Sequence, residues 1–410
     1  MTKSPLFTPV LIAASMILIL SFGIRSSFGV FQLPIATEFG WPRADFSMAI
    51  AIQNLAWGVG QPIFGAIAER FGDRRAIILG ALLYASGLVL SSFAVTPGQH
   101  QILEILVGFG IAGTGFGMIL AIVGRAASAE NRSLALGIAT GLGSAGQFFG
   151  PVTAEFLLRF YPWQTVFLIF AALILCVLFA LPFLRAPNKT KLDAEESLKT
   201  VLTRAFKDPS FYLIALGFFS CGYQLGFITA HFPAFITEMC SAIAPGSLLA
   251  GLGITTTSAL GAFSIGLIGV ANIGGSILAG WLGKTYLKKY LLAGIYSFRT
   301  IASIAFILLP MTPETVVIYS LVMGSLWLAT VPLTSGLVAQ IYGLRYMGTL
   351  YGFVFFSHQV GSFLGVWLGG RLYDITGNYT AVWWVGIGVG ALSVILHLPI
   401  RERALTAQPA

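Results

Sequence analysis

RAPNKTKLDAEESLKTVLTRAFKD, residues 185–208, is the longest polar stretch of the chain, and its position decides how the rest is read. Its charged side chains exclude burial in lipid, so it reads as a solvated, partly helical linker. Outward from it the chain is nearly uncharged. Of 410 residues, 57% are hydrophobic and only 9% charged, with a mean hydropathy of +0.87. A soluble domain carries about 25% charged residues, and no soluble fold of this length can face water with so few. The 48 glycines fit a protein whose helices pack closely in lipid. The class is a polytopic all-α membrane protein.

Runs of about 20 apolar residues can cross a bilayer as helices. Twelve are expected, at 8–32, 45–68, 76–97, 101–124, 133–158, 163–184, 209–235, 259–282, 290–309, 314–340, 346–370 and 380–399. Six precede the polar segment and six follow it. The expected organisation is a six-helix bundle over 1–184, a cytoplasmic linker over 185–208 and a second six-helix bundle over 209–410. Residues 239–258, rich in Gly, Ser and Thr, read as a loop or an interfacial helix. The first run lacks a small-residue cleavage site and continues into Arg25 and Phe31, so it reads as a span and not a cleaved signal.

The net charge of +8 does not point to nucleic acid, because the basic residues are scattered through short loops. Their sidedness sets orientation. With the first residue inside, 18 of the 23 basic residues fall in cytoplasmic segments and three, Arg43, Arg159 and Arg371, fall outside. Both termini are therefore expected in the cytoplasm, in a multi-pass protein of the cell membrane (the inner membrane of a Gram-negative cell). The two remaining cations, Arg25 and Arg299, lie within spans. Cys176, Cys221 and Cys240 form no CxxC pair and no ligand spacing, so they read as small apolar residues, with no metal site. No GxxxxGK[ST] loop or Gly-x-Ser-x-Gly elbow occurs, which argues against a nucleotide, a cofactor and an enzyme.

The two halves repeat. Adding 215 to Gly65, Gly137, Gly146, Phe148 and Gly150 gives Gly280, Gly352, Gly361, Phe363 and Gly365, so GQFFG at 146–150 answers GSFLG at 361–365. At an offset of 199, Phe28 and Pro34 meet Phe227 and Pro233, and Arg25 meets Gln224. A duplicated six-helix unit implies a pseudo-twofold axis along the membrane normal and a binding site near the midplane.

GAIAERFGDRR (65–75) joins the second and third spans. Gly65 permits close helix approach, Gly72 a tight turn, and Arg70, Asp73 and Arg74 can pair with neighbouring helix ends. It resembles the loop motif of the major facilitator superfamily of transporters, which gates the cytoplasmic side. A degraded copy, GWLGKTYLKKY, follows at 280–290. GQFFGP (146–151) resembles the Gly-Pro motif of the same superfamily, with Gly146 and Gly150 for packing and Pro151 for a bend. The resemblance covers nearly the whole chain and implies the major facilitator fold of twelve transmembrane helices in two pseudo-twofold-related bundles. IRSSFGVFQLPIATEFGW (24–41), AIQNLAWGVGQPIFG (51–65) and FFSHQVGSFLGVWLGG (355–370) look like its bacterial monocarboxylate-transporter-like and oxalate/formate-antiporter-like branch, whose members move small organic anions. Members of that branch typically carry a basic residue in span eight. Here that span reads SIGLIGVANIGGSILAG (264–280), with Asn272 and no charge, and the cation stands instead as Arg299 in span nine.

An intramembrane arginine costs about 2.5 to 3.5 kcal/mol on insertion scales. Arg25 and Arg299 each admit two readings: a structural cation bonding helix carbonyls or snorkelling, or a cation facing a water-filled cavity. The second is favoured for both. No span centre contains Asp or Glu; Glu104 and Glu155 lie near span ends. Two deep positive charges without a counter-charge favour an anionic substrate, held by a planar guanidinium fork. Asn54, Tyr223, Gln224, His358 and Gln359 add polar groups for the substrate. Adjacent residues on a helix point about 100° apart, so Asn54 is preferred over Gln53, Tyr223 over Gln224 and His358 over Gln359. His358 is also the candidate carrier of a coupled proton. The expected function is secondary active transport of a monocarboxylate or dicarboxylate by alternating access, by symport or antiport with protons or a counter-anion. The alternative is a proton-coupled exporter of drugs or neutral metabolites.

Overall fold

Thr8 caps the first helix by accepting a hydrogen bond from Leu11 N, and Pro9 follows at the first helical position, where its missing N–H is no loss. The same logic recurs along the chain, with capping boxes at Thr96/Gln99 and Thr312/Thr315. The computed structural model describes residues 6–41, 43–184 and 196–405, and helix is the one regular structure among them. Each predicted span coincides with one helix or with two that abut. The first six are α1 (Pro9–Phe39), α2 (Arg43–Phe71), α3 (Asp73–Ser91), α4 (Pro97–Thr114) continued by α5 (Phe116–Ala126), α6 (Arg132–Leu158), and α7 (Trp163–Leu175) continued by a 3₁₀ segment, Cys176–Phe183. Of the linker, 185–195 lie outside the described residues, and α8 (Leu198–Lys207) is helical as expected. Then come α9 (Pro209–Met239), the one-turn α10 (Leu248–Gly251), α11 (Thr257–Leu282), α12 (Lys288–Leu308), α13 (Pro313–Leu326) continued by α14 (Thr330–Tyr342), α15 (Met347–Thr376) and α16 (Thr380–His397).

Among the described residues, nine of these rods are long and apolar enough to cross a membrane. The others are α2, α6 and α15. They carry Gln53, Asn54, Gln61, Ser144, His358 and Gln359, all buried. These three helices turn polar and glycine-bearing faces to other helices, which dilutes their hydropathy. Span limits moved where turn geometry outweighs hydropathy. α1 continues past residue 32, through Pro34, until Gly40 at φ 66°, and α15 continues past 370 until Gly377 at φ 72°. α3 stops at Ser91, short of 97. Of residues 239–258, those between Met239, the end of α9, and Thr257, the start of α11, hold a loop with the one-turn α10.

The repeated glycine blocks do the same work in both halves. A Cβ at Gly146 or Gly150 of α6 would collide with the backbone of Ile19 or Gly23 in α1, and one at Gly361 or Gly365 of α15 would collide with Phe219 or Tyr223 in α9. Absent side chains let the backbones touch, and packing of this kind replaces the hydrophobic drive that lipid cannot supply. α6 stays helical through Pro151.

The first six spans meet the last six from the bundle's middle towards the face that carries the start of α1 and the end of α16. There α2 meets α15, with Gly65 against the Gly348–Thr349 peptide and Gly352 against Pro62, and α6 meets α11, with Gly137 against Gly280. Glu69 accepts from Thr349 N at 3.0 Å and from its hydroxyl, and Lys284 Nζ donates to Asn131 Oδ1 at 3.2 Å. Asp73 Oδ2 pairs with Arg125 Nη2 at 2.7 Å, holding the α2–α3 turn to the end of α5. Gly72 makes that turn at φ 99°, which a side chain would strain. Arg74 Nη2 reaches Pro182 O at 3.4 Å, and Arg70 lies over the Phe71 ring.

Candidate functional site

Arg25 is the seventeenth of 31 residues in α1, half-way along the rod. At that depth a cation needs a partner or water. It has one protein hydrogen bond: Nη2 donates to Asn54 Oδ1 of α2 at 2.8 Å, while Nε has no partner. Its Cζ stands 5.1 Å from the centroid of Trp57, three residues further along α2 and so on the same face as Asn54. No carboxylate pairs with Arg25 among the described residues. The side chain is half-buried, and Gly29, one turn on along the same face, is exposed with nothing within 4 Å of where a Cβ would stand. Arg25 and Gly29 thus share one part-exposed face of α1.

The opposite wall comes from α15. Gln359 Nε2 donates to Asn54 O at 3.1 Å, so one residue of α2 holds Arg25 with its side chain and the other half of the chain with its carbonyl. Gln359 Oε1 lies 2.9 Å from His358 Nδ1, and His358 stacks on Phe355 at 5.2 Å. Phe355 in turn meets Trp57 at 4.7 Å, and Trp57 meets Phe22 at 5.5 Å. The result is one guanidinium in an amide cradle, walled by aromatic rings.

Arg25 and Asn54 thus come together with Gln359, and His358 joins them through Gln359 Oε1. Arg299, Tyr223 and Gln224 do not. Arg299 is 0% exposed. It is held inside the last six spans, with Nη1 3.4 Å from Cys221 Sγ and Cζ 5.7 Å from the Tyr296 ring. It is buried on every side in this structure. Gln224 Nε2 donates to Gly386 O of α16 at 3.1 Å, and the Tyr223 ring lies against the same Gly386, so both tie α9 to α16. The picture of deep charges that are all positive also changes. Glu104, near the start of α4, is 0% exposed and accepts from Gln53 Nε2 at 2.6 Å. Glu155 is an exposed surface residue 3.6 Å from Arg159. Sequence reasoning missed Trp57, although its three-residue spacing from Asn54 was a usable signal. In place of the span-eight cation, Asn272 bonds Ser144 of α6 at 2.8 Å and Leu328 N at 2.8 Å, a helix junction and not an anion site.

Comparison with known proteins agrees with this architecture. Residues 13–366 match the family model described as Major Facilitator Superfamily. The uncharacterised MFS-type transporter YcxA of Bacillus subtilis is 26% identical over 390 residues, covering 91% of this chain and 90% of that protein. Monocarboxylate transporter 13 of Bos taurus is 28% identical, covering 92% and 86%. Among solved structures, a proton:xylose symporter, XylE, superposes with a TM-score of 0.71 at 15% identity over 97% of each chain. The Escherichia coli fucose:proton symporter FucP gives 0.68 at 15% identity over 94% of this chain and 97% of its own.

Proposed function

The chain belongs to the Major Facilitator Superfamily, and from that premise we propose that this multi-pass membrane transporter carries a small organic anion, a monocarboxylate in preference to a dicarboxylate. One observation carries the reading: Arg25, mid-bundle, half-buried and without a carboxylate partner among the described residues, is held by Asn54 and Trp57 one turn from the exposed Gly29. A carboxylate arriving there would supply the missing charge and use the free part of the guanidinium fork. With Arg299 sealed inside the last six spans, one accessible arginine suits one carboxylate. The resemblance to a monocarboxylate transporter supports the same class.

In this reading the bundles over 1–184 and 209–410 rock about the site, both termini are cytoplasmic, and the closed face is the cytoplasmic one. Glu69–Thr349 and Lys284–Asn131, which join the two halves, would then latch the outward-open state, with Asp73–Arg125 holding the α2–α3 turn beside them. The test is counterflow of labelled acetate, lactate, benzoate and oxalate in proteoliposomes. Arg25→Lys keeps the charge but loses the fork, and removing a charge-assisted hydrogen bond of about 1.5 to 3 kcal/mol corresponds to about a ten- to hundredfold fall in kcat/KM. Unchanged carboxylate transport by Arg25→Lys, or transport of none of the four by the native chain, would remove the anion assignment.

A further inference from the structure

We propose that Glu104 and His100 form the site that takes up and releases a coupling proton, and that α2 passes its state to Arg25. The inference rests on reading the chain as a secondary carrier of an anion. It starts from an anomaly: Glu104 is 0% exposed, yet no lysine or arginine pairs with it among the described residues. One oxygen, Oε2, accepts from Gln53 Nε2. The other, Oε1, has no hydrogen bond, and neither has His100 Nε2, which stands 3.6 Å from it. A desolvated carboxylate without a cation costs several kcal/mol, whereas the neutral acid does not. Neither atom has another partner, and with the neutral imidazole protonated on Nδ1 the two form a place for one proton: on Oε1 with the imidazole neutral, or on Nε2 beside a carboxylate.

The surroundings give the pair an entrance and an output. His100 lies in the first turn of α4 beneath the exposed Gly98 and Gln99, on the face where the bundle is open, and Glu104 lies one turn deeper. The imidazole is fixed in a ring slot, stacked on Phe46 at 5.4 Å with Trp41 at 6.1 Å and Phe167 at 6.4 Å. A proton entering from the open face meets His100 first and Glu104 second. The output is Gln53. Its neighbour Asn54 holds both Arg25 and Gln359. A Cβ at Gly108 of α4 would collide with Gln53 O, so α2 and α4 are locked together at this level. An ionised Glu104 pulls the Gln53 amide more strongly than a neutral one, and the same turn of α2 bears the anion contact and the contact to the other half.

The charged and titratable groups facing the pair are few. From α3, Tyr84 lies within electrostatic reach of both Glu104 and Arg25 and donates to Ser21 O at 3.3 Å. Arg25 of α1 reaches Tyr84 from the other side. α2 contributes Gln53 and Phe46, and α7 contributes Phe167, none of which titrates.

Infrared difference spectroscopy of the full chain in liposomes, titrated from about pH 4 to about pH 9, reads a carboxylic acid directly. A protonated-carboxyl band that titrates in the native chain, vanishes in Glu104→Gln and shifts its midpoint in His100→Phe is expected; the phenylalanine ring suits the aromatic slot. A band unchanged in Glu104→Gln overturns the proposal. In transport, the ratio of uptake driven by a proton gradient to counterflow of the same labelled carboxylate should fall about tenfold in Glu104→Gln. A ratio that survives there but collapses in His358→Gln would place the proton on the other half and overturn it as well. If the native chain moves no carboxylate, the anion reading fails while the infrared titration still decides the proton site.

Discussion

Arg25 and Arg299 present the same signal in sequence, a lone arginine in an apolar span, and the fold resolves them in opposite ways. Arg25 leans on an amide oxygen and an indole ring and stays half-buried. Arg299 is sealed among α9, α12 and α14, where its hydrogen-bond partner is the Cys221 thiol, itself 3.3 Å from Thr330 Oγ1. The difference is lateral, not one of depth: both sit mid-helix, but one helix face stays part-exposed and the other is fully buried. A half-buried cation and a cation absorbed by its own bundle cannot be told apart by position along the chain.

The comparison breaks most sharply by deleting each charge. Arg25→Gln should lower kcat/KM for a carboxylate by about a hundredfold or more, the worth of a charge-assisted hydrogen bond in a site shielded from water. Arg299→Met, of similar bulk, should leave transport within about threefold and melting unchanged or raised, because a buried charge without an opposite partner gives little stability. Loss of carboxylate transport in a well-folded Arg299→Met protein would reverse the roles of the two. A smaller effect is expected from Trp57→Leu, which removes the ring under Arg25; a cation–π contact of about 1 to 2 kcal/mol predicts a roughly five- to thirtyfold weaker carboxylate, read in binding or KM. Smallest of all, Cys221→Ala strips Arg299 of its thiol partner, and a fall of a few degrees in melting with transport intact is expected.

Much of this molecule is legible in the sequence alone. The hydrocarbon thickness forces runs of apolar residues, so the helices announce themselves, and Gly72, Asp73 and the repeated GQFFG and GSFLG blocks mark turns and contacts that need those residue types. What stays hidden is rotation about each helix axis. Asn54 and Gln53 are neighbours, and the 100° between them sends one to Arg25 and the other to Glu104. Tyr223 and Gln224 both turn to α16 instead of the cleft. Glu104 stands near a span end, which suggests exposure, yet the helices around it remove it from solvent. Hydropathy reads depth; it does not read which neighbour lies alongside.

The closed face is zipped by bare backbone: Gly65 on Gly348 and Gly137 on Gly280. Seams of this kind have no interlocking knobs to withdraw, so parting them asks little of rotamer entropy or side-chain repacking. The balance between the two access states can then be tuned by the smallest possible increment of volume, a methyl group at one of four positions, leaving the chemistry of the cargo untouched.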